Sequence, residues 1–251
     1  MFGIIADEMK KIFRTPGRAL EVFRPRRWRQ FLSILFFNAR TGDRWKSAPD
    51  NASFKQREYS SYEQYLRHQG SKLKYLDLTD YDVNYRRQLV ERLQTLPGLK
   101  KGASVLCLGA RQGTEVKAFH DLGCFAVGLD LNPGRGNKFV LPGDFHEVQF
   151  PVQSVDVIFT NSFDHAFDPE KLIAEIIRLL KPDGWLIIEA IHGEAQAIAP
   201  DHYASFWWQR VEDLAGLLER RGFAVVRRVA FPQPWPGEQI CFAWPGKGNA
   251  H

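Results

Sequence analysis

The sequence predicts an α/β fold: a mostly parallel sheet with an antiparallel last strand, preceded by a helical extension. Three observations lead there. Beyond residue 101 short apolar runs alternate with helical segments, which is the pattern of βαβ units. Glycine or Pro-Gly punctuation closes each helical segment. The last two apolar runs are joined by only seven residues, 232–238, too few for a crossover helix, so they are expected to pair antiparallel.

Taken in order, residues 2–13 place Phe2, Ile5, Met9, Ile12 and Phe13 at helical spacing. Arg24, Arg26, Arg27 and Arg29 then precede the apolar stretch Phe31, Leu32, Ile34, Leu35, Phe36 and Phe37. Residues 39–57 are turn-rich with neither period and read as a linker. Ser60 with Glu63 forms a capping box for a helix that Gly70 stops, and a second helix runs from about 80 to 96, ended by Pro97-Gly98. Strands are expected over 104–108, 125–129, 139–141, 155–160, 185–189, 223–231 and 239–244. Helices are expected over 114–122 and over 169–180, the latter capped by Asp168 with Pro169 at its first position. A last helix presents Trp207, Val211, Leu214 and Leu218 on one stripe.

With 44% hydrophobic and 25% charged residues among 251, the chain is of ordinary globular composition and long enough for a sizeable core. Apolar stretches such as 34–37 fall far short of the roughly 20 residues of a membrane span. Asp7 and Glu8 stand where a secretory leader would be basic, which argues for a cytoplasmic protein. Three cysteines without ligand spacing, and no histidine pair at i, i+4, predict no metal. The net charge of +5 is unevenly placed. Residues 1–50 hold 11 Lys/Arg against 5 Asp/Glu, leaving 23 against 24 for the rest. Basic residues beside apolar ones suggest that residues 1–40 contact an anionic membrane surface, so that the protein would be peripheral to the inner face of a membrane. The competing reading is an extension docked by its apolar face on its own domain. Nucleic acid is disfavoured, because the basic cluster is short.

The first expected strand of the sheet ends in Leu108-Gly109-Ala110-Arg111-Gln112-Gly113 and runs straight into a helix. Glycines at such a turn let backbone approach a ligand, and free N–H groups of the helix's first turn face an anionic or polar group. Asp130 ends the next strand 21 positions after Gly109, where a carboxylate can accept both hydroxyls of a ribose. That pair suits adenosine-containing cofactors without choosing among them.

Five stretches in order then resemble the class I methyltransferases that use S-adenosyl-L-methionine, in particular the type-11 methyltransferase group, over about residues 71–251. They are 105–113, Gly128-Leu-Asp-Leu-Asn-Pro133, Gly143-Asp-Phe-His146, 156–165, and the stretch 179–189 with its Lys181-Pro-Asp-Gly184 turn. The resemblance implies a Rossmann-like sheet and divides the chain into a basic amphipathic extension and linker, 1–58, and a methyltransferase domain, 59–251. It implies that Gly109 and Gly113 line the methionine part of the cofactor, with Arg111 meeting its carboxylate or pointing to solvent. Asp130 would hold the ribose, Asp144 the adenine amino group, Phe145 and Leu131 would lie against the adenine, and Asn161 and Ser162 would face the transferred methyl group. An acidic residue is usual where this chain has Cys107, and a glycine where it has Arg111. These two departures sustain an alternative, a methyltransferase-like domain that binds partners or membrane without catalysing. Otherwise the chain transfers a methyl group to a small or lipid-like acceptor, with Asp164 and His165 as the nearest acid-base candidates and His192 and Tyr203 further off. A histidine in a turn also commonly serves only to bond backbone.

Overall fold

The computed structural model describes residues 44–48, 51–71, 79–96 and 98–245. The helix expected over 2–13, the basic run 24–29 and the apolar stretch 31–37 lie outside the described residues. The chain divides into two compact units, Met1–Arg44 with Tyr59–Asp77, and Trp45–Glu58 with Leu78–His251.

In the first unit the described element is helix α1 (Tyr62–Ser71). Its N-terminal cap uses Ser61 and Gln64 where Ser60 and Glu63 were expected, and the return bond reaches Ser60. Ser61 Oγ accepts from the Gln64 N–H at 3.3 Å, and Gln64 Oε1 accepts from the Ser60 N–H at 2.6 Å. Glutamine serves this return bond as well as glutamate does.

The second unit opens with strands β1 (Trp45–Ala48) and β2 (Asn51–Arg57), so most of the stretch read as a linker is sheet. β2 pairs on its other side with β8 (Phe206–Trp208), forming a three-stranded antiparallel sheet. Phe54 lies opposite Trp208 and stacks on Phe206 with ring centroids 5.1 Å apart. Trp207, expected on the stripe of the last helix, belongs to β8 instead. The helix itself, α5 (Val211–Glu219), starts only at Val211, where the Asp213 carboxylate accepts the Arg210 N–H at 2.8 Å. Spacing i, i+4 between Trp207 and Val211 therefore crosses an element boundary.

The main sheet has seven strands in the order β5-β4-β3-β6-β7-β10-β9. These are β3 (Ser104–Leu108), β4 (Phe125–Asp130), β5 (Val140–Pro142), β6 (Val155–Thr160), β7 (Leu180–Ile191), β9 (Ala224–Phe231) and β10 (Gly237–Trp244). The first five are parallel, and β10 pairs antiparallel with β7 and, across the short connection 232–236, with β9 as expected. Alternation along the strands feeds two cores. Leu106, Leu108, Ile158, Leu186, Ile188, Ile240 and Phe242 pack with α4 (Pro169–Leu179) and α5. Val105, Cys107, Val157, Phe159, Ile187 and Cys241 pack on the opposite face with α2 (Thr79–Leu93) and α3 (Thr114–Asp121). The result is a helix-sheet-helix sandwich.

Helix α4 begins as its sequence indicated: Pro169 occupies the first turn and Asp168 Oδ1 accepts from the Lys171 N–H at 2.9 Å. Asp168→Ala is expected to cost about 1 kcal/mol. Thermal unfolding should then shift down by roughly 2–4 °C, whereas Asp168→Asn should restore most of the loss.

Candidate active site

The order of the parallel strands reverses direction between β3 and β6, and in open α/β sheets ligands sit outside the carboxyl ends of the strands at that point. The expected residues converge there. Gly109 follows β3 with φ 70°, and a Cβ on it would come within 2.6 Å of Ser162 Cβ and 3.8 Å of Phe145 Cε1. Backbone thus takes a place that no side chain fits. Gly113, at φ 86°, enters α3, where a Cβ would meet Phe139 at 3.0 Å. Arg111 between them holds φ 45°, a left-handed setting that glycine takes freely and that costs another residue about 1–2 kcal/mol. Its guanidinium carbon lies over the Tyr81 ring, 5.4 Å from the centroid.

Asp130 ends β4 and is half-buried. Oδ2 accepts from the Arg111 N–H at 2.9 Å and Oδ1 from the Asn132 N–H at 2.7 Å, so the carboxylate is oriented by backbone with a further lone pair on each oxygen. Leu131, next in the chain, is half-buried. Beyond β5, Asp144 Oδ1 accepts from the His146 N–H at 2.9 Å and contacts His146 Nδ1 at 2.7 Å, while the buried Phe145 reaches toward Gly109. These groups stand beyond the carboxyl ends of β4 and β5, beside the glycine turn after β3.

Past β6, Asn161 is committed to the protein more than its expected role suggested. Its Nδ2 donates to Tyr85 Oη and to Glu115 Oε1, both at 2.9 Å, and its Oδ1 accepts from Ser162 Oγ at 3.2 Å. Asn161 is therefore the junction between the turn, helix α2 and helix α3. Glu115, Tyr81 and Tyr85 were not among the sequence candidates. Glu115 is 1% exposed in the first turn of α3, and burial raises its pKa to about 7, with the Arg111 charge and the hydrogen bond from Asn161 opposing that rise. Burial also pushes the Cys107 thiol well above its usual range, so strand β3 offers a neutral side chain at that position.

Asp164 and His165 form a single 3₁₀ turn after β6. His165 Nδ1 lies 3.0 Å from the Tyr203 carbonyl, which can only accept, so the proton of the neutral ring is on Nδ1 and Nε2 carries the lone pair. Nε2 is 3.9 Å from Asp164 Oδ1. Asp201 joins them: one ligand atom from each of Asp164, His165 and Asp201 lies within 4.8 Å of the others. Sequence spacing hides this group, because Asp201 lies 36 positions beyond His165. The His192 main-chain N–H donates to the Pro236 carbonyl at 3.1 Å.

A family model described as a methyltransferase domain matches residues 106–188, from β3 to near the end of β7. A demethylmenaquinone methyltransferase of Renibacterium salmoninarum is 24% identical over 170 residues, covering 64% of this chain and 70% of that protein. Among solved structures, 1,6-didemethyltoxoflavin-N1-methyltransferase of Burkholderia thailandensis, with bound 1,6-didemethyltoxoflavin and S-adenosylhomocysteine, is similar with a TM-score of 0.59 at 18% identity, over 78% of this chain and 98% of that one. A SAM-dependent methyltransferase from Aquifex aeolicus is similar with a TM-score of 0.54 at 21% identity, over 66% and 96%. The strand order with its antiparallel end, the glycine turn tied to Asp130 at the ends of neighbouring strands β3 and β4, and the family match over residues 106–188 give the chain a methyltransferase domain of the class I fold, the fold that works with S-adenosyl-L-methionine.

Proposed function

We propose that the chain methylates a lipid-like acceptor at a membrane surface. Supporting this is the location of its positive charge: the excess lies entirely in residues 1–50, beside an apolar stretch. The similarity to a demethylmenaquinone methyltransferase points the same way. Among the described residues no helix is long and apolar enough to cross a membrane.

In this reading Gly109 and Gly113 bring backbone against the methionine part of the cofactor, and Arg111 meets its carboxylate. Asp130 accepts from both ribose hydroxyls, Asp144 from the adenine amino group, and Phe145 and Leu131 lie against the adenine. The bound cofactor supplies a methyl carbon on a sulfonium, which is already a good leaving group, so positioning carries most of the rate. Asn161, tied to Tyr85 and Glu115, keeps the end of β6 in place beside that methyl. An acceptor hydroxyl would need a base, and His165 Nε2 has the lone pair for it because the Tyr203 carbonyl holds the proton on Nδ1.

Release of S-adenosylhomocysteine should be measured with demethylmenaquinone in anionic vesicles and with 1,6-didemethyltoxoflavin in solution. Turnover of the vesicle-borne acceptor, lost at high salt, is expected, since arginines near an anionic surface contribute about 1 kcal/mol each and are screened by salt. Turnover of the soluble compound alone, or equal turnover at both ionic strengths, would refute the membrane-surface reading.

A further inference from the structure

The first turn of α3 holds a buried carboxylate with unfinished bonding. Glu115 Oε1 accepts from Asn161, but Oε2, buried at the N-terminal turn of α3, has no hydrogen-bond partner among the described residues. Leaving such a group unsatisfied is costly unless something completes it. Protein charges around it do not. The Arg111 guanidinium, over the Tyr81 ring, makes no ion pair with it among the described residues, and the other ionisable neighbours are Asp82, Tyr81 and Tyr85 from α2 and Cys107 from β3. Of these only Arg111 is a cation. The carboxylate lies between the ends of β3 and β6, held toward β6 by Asn161 and adjoining the Gly109–Gly113 turn. A cation bearing N–H donors would complete the bonding of Oε2, and the buried, neutral thiol of Cys107 provides no competing anion.

Resting on the cofactor reading above, we propose that Glu115 receives the α-ammonium of the cofactor's methionine portion. The acid that anchors the amino-acid end is thus carried by the first turn of a helix rather than by the end of the strand. Arg111, on the same turn, stands to take the carboxylate, so the two side chains together match a zwitterion. Because the unliganded Glu115 titrates near pH 7, ammonium binding draws on the ionised form and releases a proton. Affinity for an ammonium-bearing ligand therefore rises with pH through 7.

Calorimetric titration of the full chain with S-adenosylhomocysteine and with 5′-methylthioadenosine, which lacks the amino-acid end, tests this. For a group titrating near 7, affinity of the native protein for S-adenosylhomocysteine should rise about eightfold between pH 6 and 7.5, and that for methylthioadenosine should not change. Glu115→Gln keeps an acceptor for Asn161 and removes the charge. It should weaken S-adenosylhomocysteine at pH 7.5 by at least tenfold, abolish the pH dependence and leave methylthioadenosine unaffected. Glu115→Asp, which keeps the charge, should retain the pH dependence and serves if the glutamine variant does not fold. Equal losses for both ligands, or none for either, would overturn the assignment. A native chain that binds neither ligand would instead overturn the cofactor reading, and this inference with it.

Discussion

Glu189→Ala should lower the stability of the protein by about 3–5 kcal/mol, because it strips one partner from a buried ion pair. Glu189, 2% exposed in β7, accepts four hydrogen bonds. Oε1 takes Arg92 Nε at 2.7 Å and Gln239 Nε2 at 2.9 Å, and Oε2 takes Arg92 Nη2 at 3.1 Å and Tyr85 Oη at 2.7 Å. Arg92, whose side chain is 10% exposed, lies with its guanidinium carbon 4.3 Å from the centroid of the Phe231 ring. Without the carboxylate, a cation, a phenol and an amide are left in the core together. Urea unfolding should show the loss as a lower midpoint at constant slope. Replacing Glu189 and Arg92 by leucine together should recover only the part due to the stranded Arg92 charge, since the Tyr85 hydroxyl and the Gln239 amide still lose their acceptor. A loss under about 1 kcal/mol for Glu189→Ala would mean that water reaches Arg92 and that the pair is not an anchor.

The same network reaches the site. Tyr85 donates to Glu189 and accepts from Asn161, which in turn donates to Glu115. Helix α2 is pinned to β7 by Arg92 and, through one tyrosine hydroxyl, positions the residue after β6. Stability and site geometry are thereby coupled, and weakening at Glu189 should loosen Asn161 before the sheet opens.

Much of this was legible because strands buried on both faces read as continuous apolar runs. Val155–Thr160 and Ser104–Leu108 appear at their expected limits, and Asp168 caps α4 as its Pro169 neighbour suggested. The small sheet was not legible. β1 and β2 carry Lys46, Ser47, Lys55 and Gln56, with no clean alternation, and are defined by pairing with each other and with distant β8. Glu115 escaped notice because, read along the chain, it is an ordinary acid in the first turn of a helix. Only the packing of α3 against β3 and β6 buries it. In the same way the replacement of an expected acid by Cys107 looked like a loss, whereas the structure has a buried carboxylate supplied from the next element.

Asp130→Ala is expected to weaken S-adenosylhomocysteine at least tenfold. Two hydrogen bonds from ribose hydroxyls to a charged acceptor are worth about 1.5–3 kcal/mol each before water substitutes for the protein, and 1.4 kcal/mol is one decade of affinity. The carboxylate has a second effect that a contact to ligand alone would not predict. It bonds the Arg111 N–H and so supports a residue held at φ 45°, while Asn132 is bonded from the other oxygen. Losing that support frees Arg111 to leave the left-handed region, and the turn that Gly109 and Gly113 shape loses definition. Asp130→Asn separates the two contributions, because its amide oxygen can still accept the Arg111 N–H while its nitrogen cannot accept from a hydroxyl. The asparagine variant should therefore keep the Arg111 bond but lose the Asn132 one, giving a thermal stability between those of the native chain and the alanine variant, and should bind several-fold more weakly than the native chain. Methylthioadenosine should follow S-adenosylhomocysteine here, since both carry the ribose, in contrast to their expected divergence at Glu115. An unchanged dissociation constant in a folded Asp130→Ala protein would place the ribose elsewhere and with it the orientation of the whole cofactor.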